Sequence, residues 1–496
     1  MPLDAIAAID LGSNSFHLLI ARFQDGQLQV IDRLREMVQL AAGLDEQHRL
    51  SREAQKRALE CLARFGQRLR HMSSARVRVV GTNTLRQARN GEEFLIKAGE
   101  ALGHPVEIIS GIEEARLIYQ GVSQTMANGG ERRLVMDIGG GSTELIIGEN
   151  FEPLHLESLF MGCVSMTRRA FTDQRIREVD LKAAELAVQM EMEPVTVVYR
   201  ELGWKHATGA SGSIKSVRDV ILQEGWSRSH ITLAALRQLR QAILELKTPQ
   251  AMAERWGLEE ARARVFAGGF SVLHGVCEAL EIDTMEVADG ALREGLVFDL
   301  RGRIQHKDPR DRTIEALVKR YHMDPGQAER VTETALRFLD QAREVWELDD
   351  ESHAHDLQWA ARLHEIGLAI AHNQYHKHGA YIVQYSDLAG FSRSEQQLIA
   401  ALIRGHRRKF PVAVFEELPQ SLRQSARRLC VLLRLAAVMH RSRSRQPLPE
   451  VNLRVKGKRV KLGFPEGWLE AHPLTRLDLE TEADYLKAGD FKLNVT

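Results

Sequence analysis

Two stretches of this 496-residue chain hold residues suited to handling phosphate. Residues 6–20 read Ile-Ala-Ala-Ile-Asp-Leu-Gly-Ser-Asn-Ser-Phe-His-Leu-Leu-Ile. Residues 134–148 read Leu-Val-Met-Asp-Ile-Gly-Gly-Gly-Ser-Thr-Glu-Leu-Ile-Ile-Gly. Overlaid, Asp10 meets Asp137, Gly12 meets Gly139 and Ser15 meets Ser142. Each apolar run ends in an Asp, turns through Gly, Ser or Asn, and returns as a second apolar run. That pattern predicts strand, tight turn, strand. Glycines clear the turn of side chains, so successive backbone N–H groups can face one concavity, a nest for an anion. The carboxylate at the strand end cannot hold phosphate itself, but it can hold a hard cation that does. A lone Asp-x-Gly is an ordinary hairpin turn. Two in one register point to a duplicated phosphate device.

The pair resembles the two phosphate loops of the actin, heat-shock-70 and sugar-kinase ATPase superfamily. Further segments narrow the resemblance. They are Val79-Val-Gly-Thr-Asn-Thr-Leu-Arg-Gln-Ala88, Ile108-Ile-Ser-Gly-Ile-Glu-Glu-Ala-Arg-Leu-Ile-Tyr119, Met161-Gly-Cys-Val164, Gly209-Ala-Ser-Gly-Ser-Ile-Lys215 and Asp289-Gly-Ala-Leu-Arg-Glu-Gly295. In this order they resemble the exopolyphosphatase / guanosine pentaphosphate phosphohydrolase family through essentially the whole chain. Asp137-Ile-Gly-Gly-Gly-Ser142 and Gly148-Glu-Asn-Phe-Glu-Pro153 look closer to its long, four-domain exopolyphosphatase branch.

Candidate site residues follow. Ser110-Gly-Ile-Glu113 fits a capping box, which gives Glu113 a structural task. Glu114 projects about 100° away around the helix and is left to face a cleft. The resemblance implies that Glu114 is the general base that activates water. The competing view is that both carboxylates only favour the helix N-terminus. Asp10, Asp137 and Glu144 are candidate direct or water-mediated Mg²⁺ ligands, Glu144 being either a ligand or only a cross-strand partner of Asp137. Gly12, Ser13, Asn14 and Ser15 would cradle one phosphate; Gly139, Gly140, Gly141 and Ser142 would cradle another. Arg86 carries a fork able to grip phosphate bidentately. Arg89 and Arg116 compete for that role. Ser211, Gly212 and Ser213 open a helix and either contact phosphate or cap it.

Composition limits the partners. Lys+Arg and Asp+Glu both number 67, so no global charge draws the chain to nucleic acid. Cys61, Cys163, Cys277 and Cys430 are scattered without a Cys-x-x-Cys, which argues for a reducing compartment. No apolar window reaches the ~18 residues of a membrane span, and no signal sequence opens the chain, so a cytoplasmic location is expected.

The chain is too long for one core. The expected fold is α/β: two actin-like (ribonuclease-H-like) halves at 1–121 and 122–301 with a cleft between them. A helical region at 302–444 and a small α+β module at 445–496 follow. A linker is expected at 301–313, and strands at 28–32, 474–480 and 491–495. Leu363-His-Glu-Ile-Gly367 and His376-Lys-His-Gly-Ala-Tyr-Ile382 look like the HD phosphohydrolase superfamily. Glu365 replaces its Asp and Ala437 falls where a late Asp is expected, so a working second metal centre is not expected. His376, His378, Arg404, His406, Arg407, Arg408 and Lys409 offer either a path for polyphosphate or a solvated helix end.

The leading expectation is therefore an Mg²⁺-dependent exopolyphosphatase acting on inorganic polyphosphate. Conversion of guanosine pentaphosphate to the tetraphosphate at the same site is the alternative. A nucleotide-gated binding protein is the rival from another class. The resemblance also implies a homodimer.

Overall fold

The computed structural model describes residues 4–24, 26–126, 130–173, 175–305 and 308–496. The chain divides into two compact units, Met1–Asp308 and Pro309–Thr496.

In the first unit the duplicated sequence becomes a duplicated topology. Strands β1 (Ile6–Leu11), β2 (Ser15–Gln24) and β3 (Gln27–Met37) form an antiparallel meander. β4 (Val77–Gly81) and β5 (Glu107–Ile108) add in parallel, in the order β3-β2-β1-β4-β5. β6 (Arg133–Ile138), β7 (Thr143–Glu149) and β8 (Glu152–Leu159) repeat the meander, and β9 (His206–Gly209) adds to β6 in parallel. β10 (Ile231–Thr232) and β11 (Thr284–Val287) complete the order β10-β11-β9-β6-β7-β8. The first meander runs further than its apolar letters indicate, because β3 is exposed on much of its length and reads as polar.

Side chains on a strand alternate between faces, so each hairpin feeds two cores. Ile9, Leu11, Phe16 and Leu18 pack into one core, and Leu134, Met136 and Leu145 into another. The intervening Ala8, Leu19, Val135 and Ile146 share a third with the helices Gly111–Thr125 and Leu292–Ile304. This shared seam brings both hairpins against the same pair of helices. The helices cross at glycine: a Cβ on Gly295 would lie 1.8 Å from the Leu117 carbonyl oxygen, so no larger residue fits.

The second unit has one continuous apolar core. It runs from Ile314 and Trp359 through the helix Gln420–Met439 to Leu453, Val460 and Leu493. β12 (Asn452–Lys456), β13 (Arg459–Gly463) and β14 (Lys492–Val495) form a small sheet in that order.

Two sequence expectations are corrected. The strand expected at 474–480 is part of the helix Pro473–Leu486. Leu474 and Leu477 stay exposed while Leu479, Glu482 and Leu486 are buried, a spacing of three and four that defines a helix face. Pro473 sits in the first turn, where its missing N–H costs nothing. The linker expected at 301–313 is largely helix as well, since Leu292–Ile304 ends inside it and Pro309–Arg320 begins inside it. His306 and Lys307 of that segment lie outside the described residues.

Candidate active site

The two turns face one another. A Cβ on Gly140 would fall 2.9 Å from Ser13 Cβ, and one on Gly141 would fall 3.1 Å from the Asn83 amide nitrogen. Their backbone groups are sorted in the same way. The Ser13 and Asn14 carbonyls accept from Ala41 and Gln39, and the Gly139 and Gly140 carbonyls accept from Cys163 and Val164. Among the described residues, the N–H groups of Ser13, Asn14, Gly140 and Gly141 donate to no other backbone group. Carbonyls tied back and amides left over make an anion nest on each side. Thr84 Oγ1 donates to Ser13 Oγ at 2.8 Å, fixing the first turn to the short helix Asn83–Gln87.

Four carboxylates converge on this place. Asp10 ends β1 opposite His17, and Asp137 ends β6 directly opposite Glu144. Burial, then the charges of Glu114 and Asp137, push Asp10 up to about 7, with Arg293 opposing. Burial and Glu114 push Asp137 up to about 7, against Arg293 and Lys215. Burial, Glu114 and Asp137 also hold Glu144 well above the usual carboxylate range. Asp10 Oδ1 is a buried oxygen with no hydrogen-bond partner. Glu144, only 1% exposed, accepts from Ser158 Oγ at 2.9 Å.

Glu113 and Glu114 part company, as their spacing on the helix requires. Ser110 caps Gly111–Thr125 by accepting from the Glu113 N–H at 3.1 Å. The Glu113 carboxylate turns inward to Arg116, at 2.7 and 2.8 Å, and to Arg78 at 3.6 Å. Arg78, Arg116 and Arg303 all pair with buried Asp299. Although burial opposes it, these guanidiniums hold Asp299 well below the carboxylate range. This buried network ties β4 and the two seam helices together. Glu114 points the other way and accepts from Arg86 Nη1 at 2.8 Å. Arg86 Nη1 also donates to the Ile109 carbonyl at 3.0 Å.

Of the three arginines weighed from sequence, the geometry therefore brings Arg86 to Glu114. Arg116 is spent in the buried network and Arg89 is exposed. Ser211 caps the helix Gly212–Gln223 by accepting from the Ile214 N–H, and Arg262 Nη1 donates to Ser213 Oγ at 3.4 Å.

Sequence reasoning passed over His17, Lys215, Arg262 and Arg293. Arg293 Nη1 lies 3.1 Å from His17 Nδ1, and Ser15 Oγ lies 2.8 Å from His17 Nε2. Burial, then Arg293, Arg35 and Arg262, push His17 down to about 3. Lys215 and Arg293 both lie in segments that carried the family resemblance, which was the available signal. Arg262 had none, because an amphipathic helix is full of such residues.

The duplicated hairpins, paired nests and converging carboxylates coincide with a family match. The description "Ppx/GppA phosphatase family" fits residues 19–303, and "Ppx/GppA phosphatase, domain III" fits residues 310–483. The chain belongs to the Ppx/GppA phosphatase family. It is an enzyme of the kind that hydrolyses phosphoanhydride bonds. It is 41% identical over 479 residues to a guanosine-5'-triphosphate,3'-diphosphate pyrophosphatase of Vibrio vulnificus, covering 96% of this chain and 95% of that protein. A protein of the same name from Aeromonas hydrophila is 41% identical, with 96% of each covered. Among solved structures, an exopolyphosphatase from Cytophaga hutchinsonii is similar at TM-score 0.56 and 25% identity, covering 60% of this chain and 98% of that one. An Aquifex aeolicus PPX-GPPA enzyme is similar at TM-score 0.51 and 26% identity, covering 59% and 98%. The whole-chain relatives carry the name of the alternative reading, and the solved neighbours include an exopolyphosphatase, so the likeness favours the alternative over the leading expectation.

No described helix is long and apolar enough to cross a membrane. Among the described residues, no three His, Cys, Asp or Glu side chains close on one point as direct metal ligands.

Proposed function

We propose that this chain hydrolyses the terminal 5'-phosphoanhydride of guanosine-5'-triphosphate,3'-diphosphate and releases orthophosphate. The substrate comes from the whole-chain relatives of that name. The observation that carries the chemistry is Glu114, turned away from its structural twin and set beside two anion nests.

In this reading the nests of Ser13–Asn14 and Gly140–Gly141 hold successive phosphates of the chain. Arg86 offers the rest of its fork to the terminal phosphoryl group while one arm holds Glu114. Glu114 orients a water and takes its proton as the water oxygen bonds to the terminal phosphorus. The bond from phosphorus to the bridging oxygen breaks in line, and that oxygen leaves with the tetraphosphate. Magnesium fits the donor set. It keeps most of its waters and needs one or two carboxylates, and Asp10 has an unpartnered buried oxygen beside Asp137. When bound, the ion supplies charge neutralisation to the phosphates. Asp10 and Asp137 would hold it, with Glu144 positioning Asp137 from across the hairpin.

Arg35, Arg262 and Arg293 surround His17, and none forms an ion pair among the described residues. They are the outer cations that a substrate with a second phosphate group would use. Inorganic polyphosphate is the second reading, favoured by the similar exopolyphosphatase fold, since its reacting bond is the same. The test is phosphate release from guanosine-5'-triphosphate,3'-diphosphate, long polyphosphate and ATP at matched chain-end concentration. The proposal expects the highest kcat/KM on the first and little on ATP. A preference of tenfold or more for polyphosphate would reverse the order of the two readings, and hydrolysis of ATP alone would sink both.

A further inference from the structure

We propose that the Pro309–Thr496 unit binds a phosphate group that carries a P–OH, orthophosphate above all, in the basin around His406, Arg407 and Arg408. Two cavities adjoin there, of about 360 and 340 Å³, and Arg407 and Arg408 line both. The first adds His372, His376 and Lys377. The second adds Tyr375, His406 and Arg441. Its two acids are engaged: Asp478 pairs with Arg441, and Glu482 with Arg434.

The basin is a built site rather than a solvated helix end. Arg434, fully buried, is held by Glu482 and donates to the carbonyls of Gly405 and Arg408. Those bonds hold Arg408 at φ +65°, a left-handed conformation that a non-glycine residue keeps only under constraint. Arg407 lies over the Tyr375 ring, 4.3 Å from its centroid. The Arg407 guanidinium is thus positioned before any ligand arrives, and the Arg408 backbone is fixed beside it.

Beneath them lie two histidines with unused nitrogens. His406 is 1% exposed, and its Nδ1–H donates to the Ile403 carbonyl at 2.6 Å. Its Nε2 is therefore a buried lone pair, and it has no partner. His376 is 5% exposed, and its Nδ1 is also without a partner. Burial, then Arg404, Arg407, Lys377 and Arg408, push His376 down to about 4. Burial, with the neighbouring His364, His376 and Arg407, holds His406 well below its ordinary range as well.

Charge decides what such lone pairs accept from. A metal ion would sit among Lys377, Arg404, Arg407 and Arg408. Glu365, the acid beside His364, already accepts from Arg443 at 2.6 Å. An anion is favoured instead. A bare anion satisfies the guanidiniums but leaves the His406 Nε2 lone pair unpaired. Monohydrogen phosphate serves both, since its oxygens accept from Arg407 and Arg408 and its single hydroxyl donates to the His406 Nε2 lone pair. Sulfate and the internal units of polyphosphate carry no such hydroxyl. The site stands on this geometry alone; its sense as a sensor of reaction product rests on the hydrolytic reading.

The test is a titration of inorganic phosphate into the full chain with ring-labelled histidine, followed by NMR at pH 7.5. The His376 and His406 signals are assigned with the variants His376→Asn and His406→Asn. Expected is a saturable shift of both signals, unchanged in the cleft variant Asp137→Asn and weakened at least about tenfold, ~1.4 kcal/mol, in Arg407→Gln. Arg408→Gly, which keeps the left-handed backbone, should weaken it likewise. Sulfate should bind at least about tenfold more weakly than phosphate. Absence of a shift, equal affinity for sulfate, or equal response to long polyphosphate at matched phosphate content would each overturn the proposal. Loss of phosphate release with an intact histidine response would overturn the hydrolytic reading and leave this site standing.

Discussion

Replacing Asp137 by Asn should make the protein more stable and less active. Asp137 is pushed from 3.8 to about 7 by burial and by Glu114, so its ionised form is held at a cost. A shift of about three units corresponds to ~4 kcal/mol at full ionisation. Solvent reaches this residue, which is only half-buried, so the usable figure is about 1–2 kcal/mol. The sign follows from linkage. A raised folded-state pKa favours the fold at low pH, and that advantage is lost as pH rises from about 4 through about 7. At pH 8 without divalent cation, wild type bears the whole penalty and the Asp137→Asn variant bears none. A gain of 1–2 kcal/mol is about 2–6 °C in a unit of this size. Differential scanning fluorimetry at pH 6 and pH 8, with and without Mg²⁺, reads this directly. Wild type should gain stability from Mg²⁺ at pH 8, and the variant should lose most of that gain. A variant that melts lower than wild type at pH 8, or responds to Mg²⁺ unchanged, would refute the reasoning.

Three further outcomes are expected. Glu114→Gln should lower kcat by about 10²–10⁴-fold with KM little changed, as steady-state phosphate release will show. Glu113→Gln should act on folding instead, costing about 3–5 kcal/mol in urea unfolding, because it removes one of the two buried carboxylates, Glu113 and Asp299, that balance Arg78 and Arg116. Arg293→Met removes the cation that lowers both Asp10 and Asp137, so the acid limb of the pH–kcat/KM profile should move to higher pH; a limb that stays in place would remove Arg293 from the site.

The hairpins were legible because two-residue alternation and the Asp–turn repeat are local properties of sequence. Glu113 and Glu114 were separable for the same reason, since helix geometry turns them apart, although the Glu113 carboxylate is directed by Arg116 and Arg78 rather than by the capping box expected from Ser110-Gly-Ile-Glu113. The helix at 473–486 was not legible, because Leu474, Leu477 and Leu479 mimic both periods and only packing shows which leucine is buried. The outer cations were missed because Arg35, Arg262 and Arg293 come from distant elements and meet only when the sheets do. In the second unit the basic run at 404–409 was visible, but the buried Arg434 that shapes it lies 25 or more residues further on.

Hydrolysis of guanosine-5'-triphosphate,3'-diphosphate in ¹⁸O-labelled water tests the central claim most directly. Attack of a Glu114-activated water on the terminal phosphorus predicts one ¹⁸O in the released orthophosphate and none in the nucleotide, with the rate of label entry collapsing in Glu114→Gln. Label in the nucleotide, or unaltered label entry in that variant, would contradict it.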